Sequence, residues 1–100
     1  MAVHQMLIYT GPVSGLEADY HRWYDEVHLA EVLGVPGFVA AGRYATEDPV
    51  RFAAVYTIES DDIDDTMRVF DERRAGFRMS PSLDPTSVEI HLLRALDGVP

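Results

Sequence analysis

Residues 23–38 read WYDEVHLAEVLGVPGF, and this stretch decides the fold because it joins an apolar helix to a sharp stop and a new strand. The spacing predicts a helix over about 16–33, with one apolar face of a 3.6-residue period. That face comprises Leu16, Tyr20, Trp23, Val27 and Ala30. Gly34 ends the predicted helix, and Pro36-Gly37 turns the chain into the strand that follows.

Three more strands and a second helix surround this stretch. The strands are predicted over about 3–10, 38–46, 51–59 and 87–96, and Ser60 or Asp61 is predicted to cap the second helix. The order is βαββαβ, which favours an α+β, ferredoxin-like antiparallel sheet with strand order 4-1-3-2 and both helices on one face. There is no repeat, linker or low-complexity segment, so residues 1–100 are predicted to form a single domain.

The predicted strands carry few charges for a sheet that has one face in water. The first strand alternates Val3, Gln5, Leu7 and Tyr9 with a second apolar set, and the last strand is apolar on both faces between 88 and 93. The helices cover only one face. A second copy of the same sheet is the simplest cover for the other face, so we expect a homodimer.

The composition excludes several classes of protein. A formal charge of −9 from 17 acidic and eight basic residues opposes binding to nucleic acid. All eight basic residues are arginine, which excludes a lysine Schiff base, and the lack of cysteine excludes thiolate chemistry. No apolar run approaches the roughly 18–20 residues that cross a bilayer. The N-terminus resembles a strand and not a secretion signal, which favours a cytoplasmic protein.

Motifs for metals, phosphates and nucleophiles are also missing from the sequence. No HxH or HxxxH pair is present, so a metal site is not expected, although a site built on three histidines from different parts of the chain remains an open alternative. Neither a GxSxG elbow nor a GxGxxG loop occurs. Any chemistry is therefore expected to proceed without a cofactor.

The pattern WYxxxHxxEVxxVPGFxxxxRY over residues 23–44 is fairly specific for one group of proteins. With it, the chain resembles the dimeric α/β-barrel superfamily, and most closely its EthD-like members. The residues that carry the resemblance are Tyr20, Trp23, Tyr24, His28, the turn Val35-Pro36-Gly37-Phe38, and Arg43-Tyr44. One departure is Ala30, where relatives often have a proline.

The resemblance implies a pair of ferredoxin-like sheets that close into a barrel. It does not choose a reaction, because the superfamily includes polyketide cyclases, lactone isomerases, cofactor-free monooxygenases and heme-degrading enzymes. Three readings stay open at this point. The protein is either an enzyme acting on a hydrophobic or aromatic small molecule, or a non-catalytic ligand-binding or accessory homodimer. A third reading is a dimer whose fold serves assembly alone.

The candidate site is placed by topology. The first helix runs antiparallel to the first strand, so its later half is expected to return to the beginning of that strand. Polar residues predicted to meet there are His4, Gln5, His28, Thr57, Glu59 and His91. Imidazoles in a partly dry pocket titrate near neutrality and move protons, as an aldol-type cyclisation or an isomerisation requires. His28 is assigned as the acid/base, with Tyr24 beside it.

The other predicted binding residues are Tyr20, Trp23, His4, Arg43, Tyr56 and His91. The tyrosine hydroxyls are candidates to hold an enolate or phenolate oxygen, and Arg43 to neutralise an anionic substrate. Each also has a structural reading. His28 fits a packed histidine bonded to a carbonyl, Trp23 and Tyr20 fit the core, and Arg43 fits an ion pair across the dimer. Strand alternation can send His4 or His91 away from the pocket.

Overall fold

The computed structural model describes residues 2–96 as one four-stranded antiparallel sheet with helices on one face. The strands are β1 (Ala2–Thr10), β2 (Phe38–Ala45), β3 (Phe52–Ser60) and β4 (Glu89–Leu93). Their spatial order is β2-β3-β1-β4, which confirms the predicted ferredoxin-like arrangement. Within this part of the chain, no helix has the length and apolar character needed to cross a membrane.

The first helical segment is interrupted where a continuous α-helix was predicted. It consists of α1 (Glu17–Trp23), one π-helical turn (Tyr24–His28) and α2 (Leu29–Leu33). Because a π-turn holds an extra residue, it rotates the buried face of everything that follows. The predicted stripe fails at both ends. Leu16 lies before α1 and is 37% exposed, and after the π-turn Ala30 is exposed whereas His28 and Val32 are buried.

The helix α3 (Ile63–Arg74) covers the other half of the same sheet face. Its N-cap is Asp62, whose side chain accepts a hydrogen bond from the Asp65 backbone N–H. Ile63 and Phe70 are buried, with Phe70 stacked on Phe38 at a ring separation of 5.3 Å. A short 3₁₀ turn (Pro85–Ser87) precedes β4.

Alternation along β1 sorts the sheet into two faces. His4, Met6, Ile8 and Thr10 are buried towards the helices. The opposite face, called here the open face, has no cover among residues 2–96. It carries Val3, Gln5, Leu7 and Tyr9 with their cross-strand neighbours Ala53, Val55, Thr57, Glu59, Glu89, His91 and Leu93, together with Tyr44 from β2. Val3 is 50% exposed and Tyr44 60% exposed, so large apolar groups meet solvent on this face.

The turn between α2 and β2 depends on Gly37. Its φ of +95° lies in a region that side-chain-bearing residues rarely adopt, and a Cβ there would lie 3.1 Å from the Glu59 carbonyl oxygen. The carbonyl of Gly37 also accepts a hydrogen bond of 2.8 Å from the Glu59 N–H. The turn is thus tied to the end of β3, and it fixes where the helical segment stops.

Replacing Gly37 by alanine is expected to destabilise the chain by about 1–2 kcal/mol, because the substitution combines a left-handed backbone with a close approach. The measurement is urea denaturation followed by circular dichroism. Gly76→Ala is the matched control, since its Cβ would meet the nearest atom at an ordinary 3.6 Å. Equal stability of the two variants would contradict this account of the turn.

Candidate functional site

A cavity of about 310 Å³ opens between the sheet and the helices, beside the π-turn. This size is at the lower end of ligand pockets. Its lining is mainly aromatic and aliphatic and comprises Ile8, Thr10, Trp23, Tyr24, His28, Phe70, Arg74, Phe77, Met79, Leu83, Val88 and Ile90. Three of these residues belong to the segment between α3 and the 3₁₀ turn, which therefore forms a wall of the cavity.

His28 is held in the cavity wall by aromatic rings on three sides. The Trp23 ring stacks on it at 4.5 Å with an interplanar angle of 22°, and Tyr24 and Phe77 approach edge-on at 5.2 and 5.7 Å. Only 8% of His28 is exposed. Burial lowers the pKa of the imidazole, and the Glu31 carboxylate partly offsets that effect. His28 is therefore held towards its neutral form, which is the form that accepts a proton.

Tyr24 lies one turn before His28 and lines the same cavity. Its hydroxyl is 3.3 Å from the Thr10 hydroxyl, which in turn is 2.6 Å from the hydroxyl of Tyr20. Burial raises the pKa of Tyr24, with a smaller opposing effect from the Thr10 hydrogen bond. The phenol therefore stays protonated at neutral pH and is available as a hydrogen-bond donor.

Arg43 lies behind Tyr24 and does not line the cavity. Its guanidinium carbon is 4.3 Å from the centre of the Tyr24 ring and 5.4 Å from that of Tyr20. On its outer side it meets the His21 Nδ1 at 3.2 Å and the Asp25 carboxylate at 3.5 Å. We therefore describe Arg43 as a support for the tyrosines and not as a group that meets a ligand in this cavity.

Tyr20 and Tyr56 also lie on the helix side of the sheet without lining the cavity. Tyr56 is fully buried, and burial raises the pKa of its phenol well above the usual range. Its hydroxyl makes no hydrogen bond with any residue of 2–96. Of the predicted site residues, the structure thus brings together Trp23, Tyr24 and His28 around the cavity.

The predicted convergence of three histidines is wrong. His91 pairs with Leu7, so strand alternation places it on the open face, where it meets the Tyr9 ring at 6.0 Å and the Glu89 carboxylate at 3.1 Å. Thr57 and Glu59 pair with Gln5 and Val3, and they share that open face.

His4 faces the helices, but it lies too far along β1 to reach His28. From Tyr24 to His28 the helix advances about 6 Å, whereas from Thr10 back to His4 the strand runs about 20 Å. The His4 Nδ1 instead accepts a hydrogen bond of 2.9 Å from the Ala95 N–H. Across residues 2–96, no group of three histidine, aspartate or glutamate side chains is placed to hold a metal ion.

Several residues of the site were not predicted from the sequence. Glu31 lies three residues after His28, a spacing that places two side chains on one helix face and was available from the sequence. Thr10, Arg74, Phe77 and the backbone of Arg78 reach the site through the tertiary fold, and no local pattern marks them.

Comparison with known proteins supports the fold and goes no further. No family model matches the chain, and no curated protein matches it. Among solved structures, the chain is similar to the heme-degrader MhuD from Mycobacterium tuberculosis, in a structure with two hemes bound in its active site. The identity is 16% over 97% of this chain and 99% of that chain, with a TM-score of 0.63. The fold is ferredoxin-like. The EthD-like resemblance stays a prediction.

The depressed pKa of His28 makes stability depend on pH in a definite direction. In the unfolded chain the imidazole binds a proton with a pKa of about 6.5, whereas burial resists that proton in the folded chain. The free energy of unfolding is therefore expected to fall as the pH drops from 7 to 5. His28→Gln should flatten part of this slope, leaving a remainder from His21, whose pKa burial also lowers. Urea denaturation across this range measures both slopes, and equal slopes would contradict the assignment.

Proposed function

We propose that this protein binds a hydrophobic or aromatic small molecule in the cavity and that His28 acts as the acid/base on it. The observation that carries the proposal is the position of the His28 imidazole, nine-tenths buried but in the wall of a 310 Å³ cavity. A histidine that served packing alone would lie in a closed core. The cavity therefore favours ligand binding over a fold that serves assembly alone.

The lining sets the class of ligand. Aromatic and aliphatic groups from β1, β4, α3 and the π-turn surround the space, and the polar atoms converge at His28, Tyr24 and Thr10. Such a pocket suits a molecule with a flat apolar body and one oxygen function. Among the lining residues in the described chain, Arg74 alone carries a permanent charge, and it lies at the end of α3.

The chemistry that fits these groups is proton transfer. A neutral His28 takes a proton from a carbon next to a carbonyl, and the electron pair moves onto the carbonyl oxygen, which the Tyr24 phenol stabilises by donating a hydrogen bond. Return of the proton from His28 to a different carbon completes an isomerisation. In a cyclisation the carbanion attacks a second carbonyl of the same molecule, and the alkoxide that forms takes the proton back from His28. No cofactor enters either route. A cofactor-free oxygenase reaction, in which O₂ meets the enolate, is the further alternative within this class.

A non-catalytic ligand-binding or accessory role is the competing proposal. It uses the same cavity and differs in one respect, because His28 would then hold the ligand without exchanging protons. Turnover that follows the titration of one group supports the enzyme, and binding without such turnover supports the accessory role. In either role we propose a cytoplasmic, EthD-like protein.

The single tryptophan offers a direct test of ligand binding. Trp23 stacks on His28 and lines the cavity, so its fluorescence reports on occupancy. Titration with 2-naphthol, a neutral aromatic alcohol, is expected to quench it saturably. His28→Gln should weaken binding about tenfold, which corresponds to one lost hydrogen bond. Glu26→Gln, on the exposed side of the same π-turn, is the control and should bind as the wild type does.

Two results would count against the proposal. Equal affinity of wild type and His28→Gln would remove His28 from the binding site. Titration with heme under the same conditions is the second arm, because the structural neighbour binds heme. A Soret band that depends on His28 would replace cofactor-free chemistry with a heme-dependent role.

We also propose that the open face pairs with a second copy of the chain. At its centre Leu7 lies between Val55 on β3 and His91 on β4, and the exposed apolar groups of the face include Val3, Tyr44 and Leu93. Large apolar side chains exposed together on one sheet face favour an interface over contact with water. A second identical sheet supplies a matching apolar surface, and the EthD-like resemblance favours the same pairing.

Leu7→Asp is expected to convert the dimer into a monomer, because it places a carboxylate at the centre of the open face, where the facing His91 already lies 3.1 Å from the Glu89 carboxylate. The cost of burying that charge is several kcal/mol, which raises the dimer dissociation constant by at least about 100-fold. Sedimentation velocity measures the change. Ala18→Asp, on the exposed side of α1, is the matched control. A monomeric wild type, or an unaffected Leu7→Asp dimer, would contradict the pairing.

A further inference from the structure

Glu31 is an acidic side chain that the fold buries next to His28. Its side chain is only 16% exposed, and its Oε1 lies 3.6 Å from the His28 Nδ1. Both atoms are buried, and neither makes a hydrogen bond with any residue in the described part of the chain. Two buried polar atoms that face each other without other partners are each other's natural partner, since leaving either unpaired costs free energy.

The second carboxylate oxygen of Glu31 is fixed by the cavity wall. Its Oε2 accepts a hydrogen bond of 2.7 Å from the Arg78 backbone N–H. The Arg78 carbonyl accepts a hydrogen bond of 2.7 Å from the Trp23 indole N–H. Trp23 is the ring that stacks on His28. One residue of the wall thus holds both of the side chains that orient the imidazole.

Few other charged or titratable groups face His28. Tyr24 contacts it from the π-turn, and Arg74 shares its cavity from α3. Arg78 approaches only Glu31, with its Nε 4.0 Å from Oε2 and its side chain 80% exposed. The anion nearest the imidazole is therefore the Glu31 carboxylate. Its charge favours the protonated form of His28 and so opposes the effect of burial on the pKa.

We propose that Glu31 is the positioning residue of the site: it holds the proton of neutral His28 on Nδ1 and leaves Nε2 unprotonated towards the cavity. The assignment follows from the chemistry of imidazole, which carries one N–H when neutral, and from the carboxylate, which can only accept. A carboxylate that orients a catalytic imidazole in this way sets which nitrogen takes the substrate proton. The separation of 3.6 Å closes to a hydrogen bond with a movement of less than about 1 Å, and such bonds often tighten when ligand binds.

This inference rests on the proposed role of His28 as acid/base, and it deepens that role by naming the nitrogen that acts. The inference also assigns a function to the segment between α3 and the 3₁₀ turn, which forms the cavity wall. Because the Arg78 peptide fixes Glu31, the orientation of the imidazole depends on the same segment that closes the cavity. A ligand that contacts Phe77 and Met79 in this segment therefore also helps to hold His28 and Glu31 in position.

The test is the tautomer and titration of His28, measured by nitrogen-15 NMR on the full chain. The His28 signals are assigned by their loss in His28→Gln. In the wild type, neutral His28 is expected to carry its proton on Nδ1. Glu31→Gln keeps a carbonyl oxygen for the Arg78 N–H but removes the charge. It should shift the His28 titration to lower pH and release the preference for the Nδ1–H form. Glu31→Asp, which keeps the charge, should retain part of the wild-type titration of His28 and part of the preference for the Nδ1–H form.

Glu26→Gln is the matched control, because it removes one negative charge from the exposed side of the same π-turn. It should leave both readouts at their wild-type values. A wild-type His28 protonated on Nε2 would overturn the proposal without any Glu31 variant, so a Glu31 variant that fails to fold does not block the test. An unchanged titration in folded Glu31→Gln would overturn it as well.

The outcome is separable from that of the proposed function. A chain that shows the Nδ1–H form but binds neither 2-naphthol nor heme keeps Glu31 as the positioning residue and loses the proposed ligand. A chain that binds 2-naphthol through His28 but shows the Nε2–H form keeps the function and loses the role of Glu31.

Discussion

The hydrogen bond between Thr10 and Tyr20 is the contact on which the rest of the site depends. It is 2.6 Å long, fully buried, and joins the last residue of the central strand β1 to the first helix. The Tyr24 hydroxyl lies 3.3 Å from the same Thr10 hydroxyl. Because β1 pairs with both β3 and β4, a helix anchored to it is anchored to the whole sheet. The cavity and the position of His28 follow from where this anchor lies.

The π-turn is the second constraint. A regular α-helix that buried Tyr20 and Trp23 would carry its apolar stripe on to Ala30, and His28 would lie at the stripe's edge. The extra residue in the turn rotates the chain so that Tyr24 and His28 both enter the buried face. A π-turn costs hydrogen-bond geometry, and such turns occur often at functional sites. Here it supplies two of the polar groups of the cavity, Tyr24 and His28.

Much of the fold was predictable because it depends on local patterns. Alternating strands, the stop at Gly34 and the turn at Gly37 are local signals, and the βαββαβ order leaves few topologies. The aromatic helix face also pointed to Trp23, Tyr24 and His28, which the structure places around one cavity. The error came from register. Which face of β4 holds His91 depends on its pairing with Leu7, and a shift of one residue reverses the answer. To predict that His4 lies far from His28, one must likewise compare the rise per residue of a helix with that of a strand.

The wall between α3 and the 3₁₀ turn contributes to the site through main-chain atoms. At Arg78 it is the N–H and the carbonyl that bind Glu31 and Trp23, while the guanidinium points to solvent. Any residue except proline offers the same two atoms. The residue type at this position can therefore vary freely among related chains, provided that the length of the segment is kept. In related chains, a site of this kind would be indicated by a constant number of residues between α3 and the 3₁₀ turn. A search for conserved residue types would not detect it.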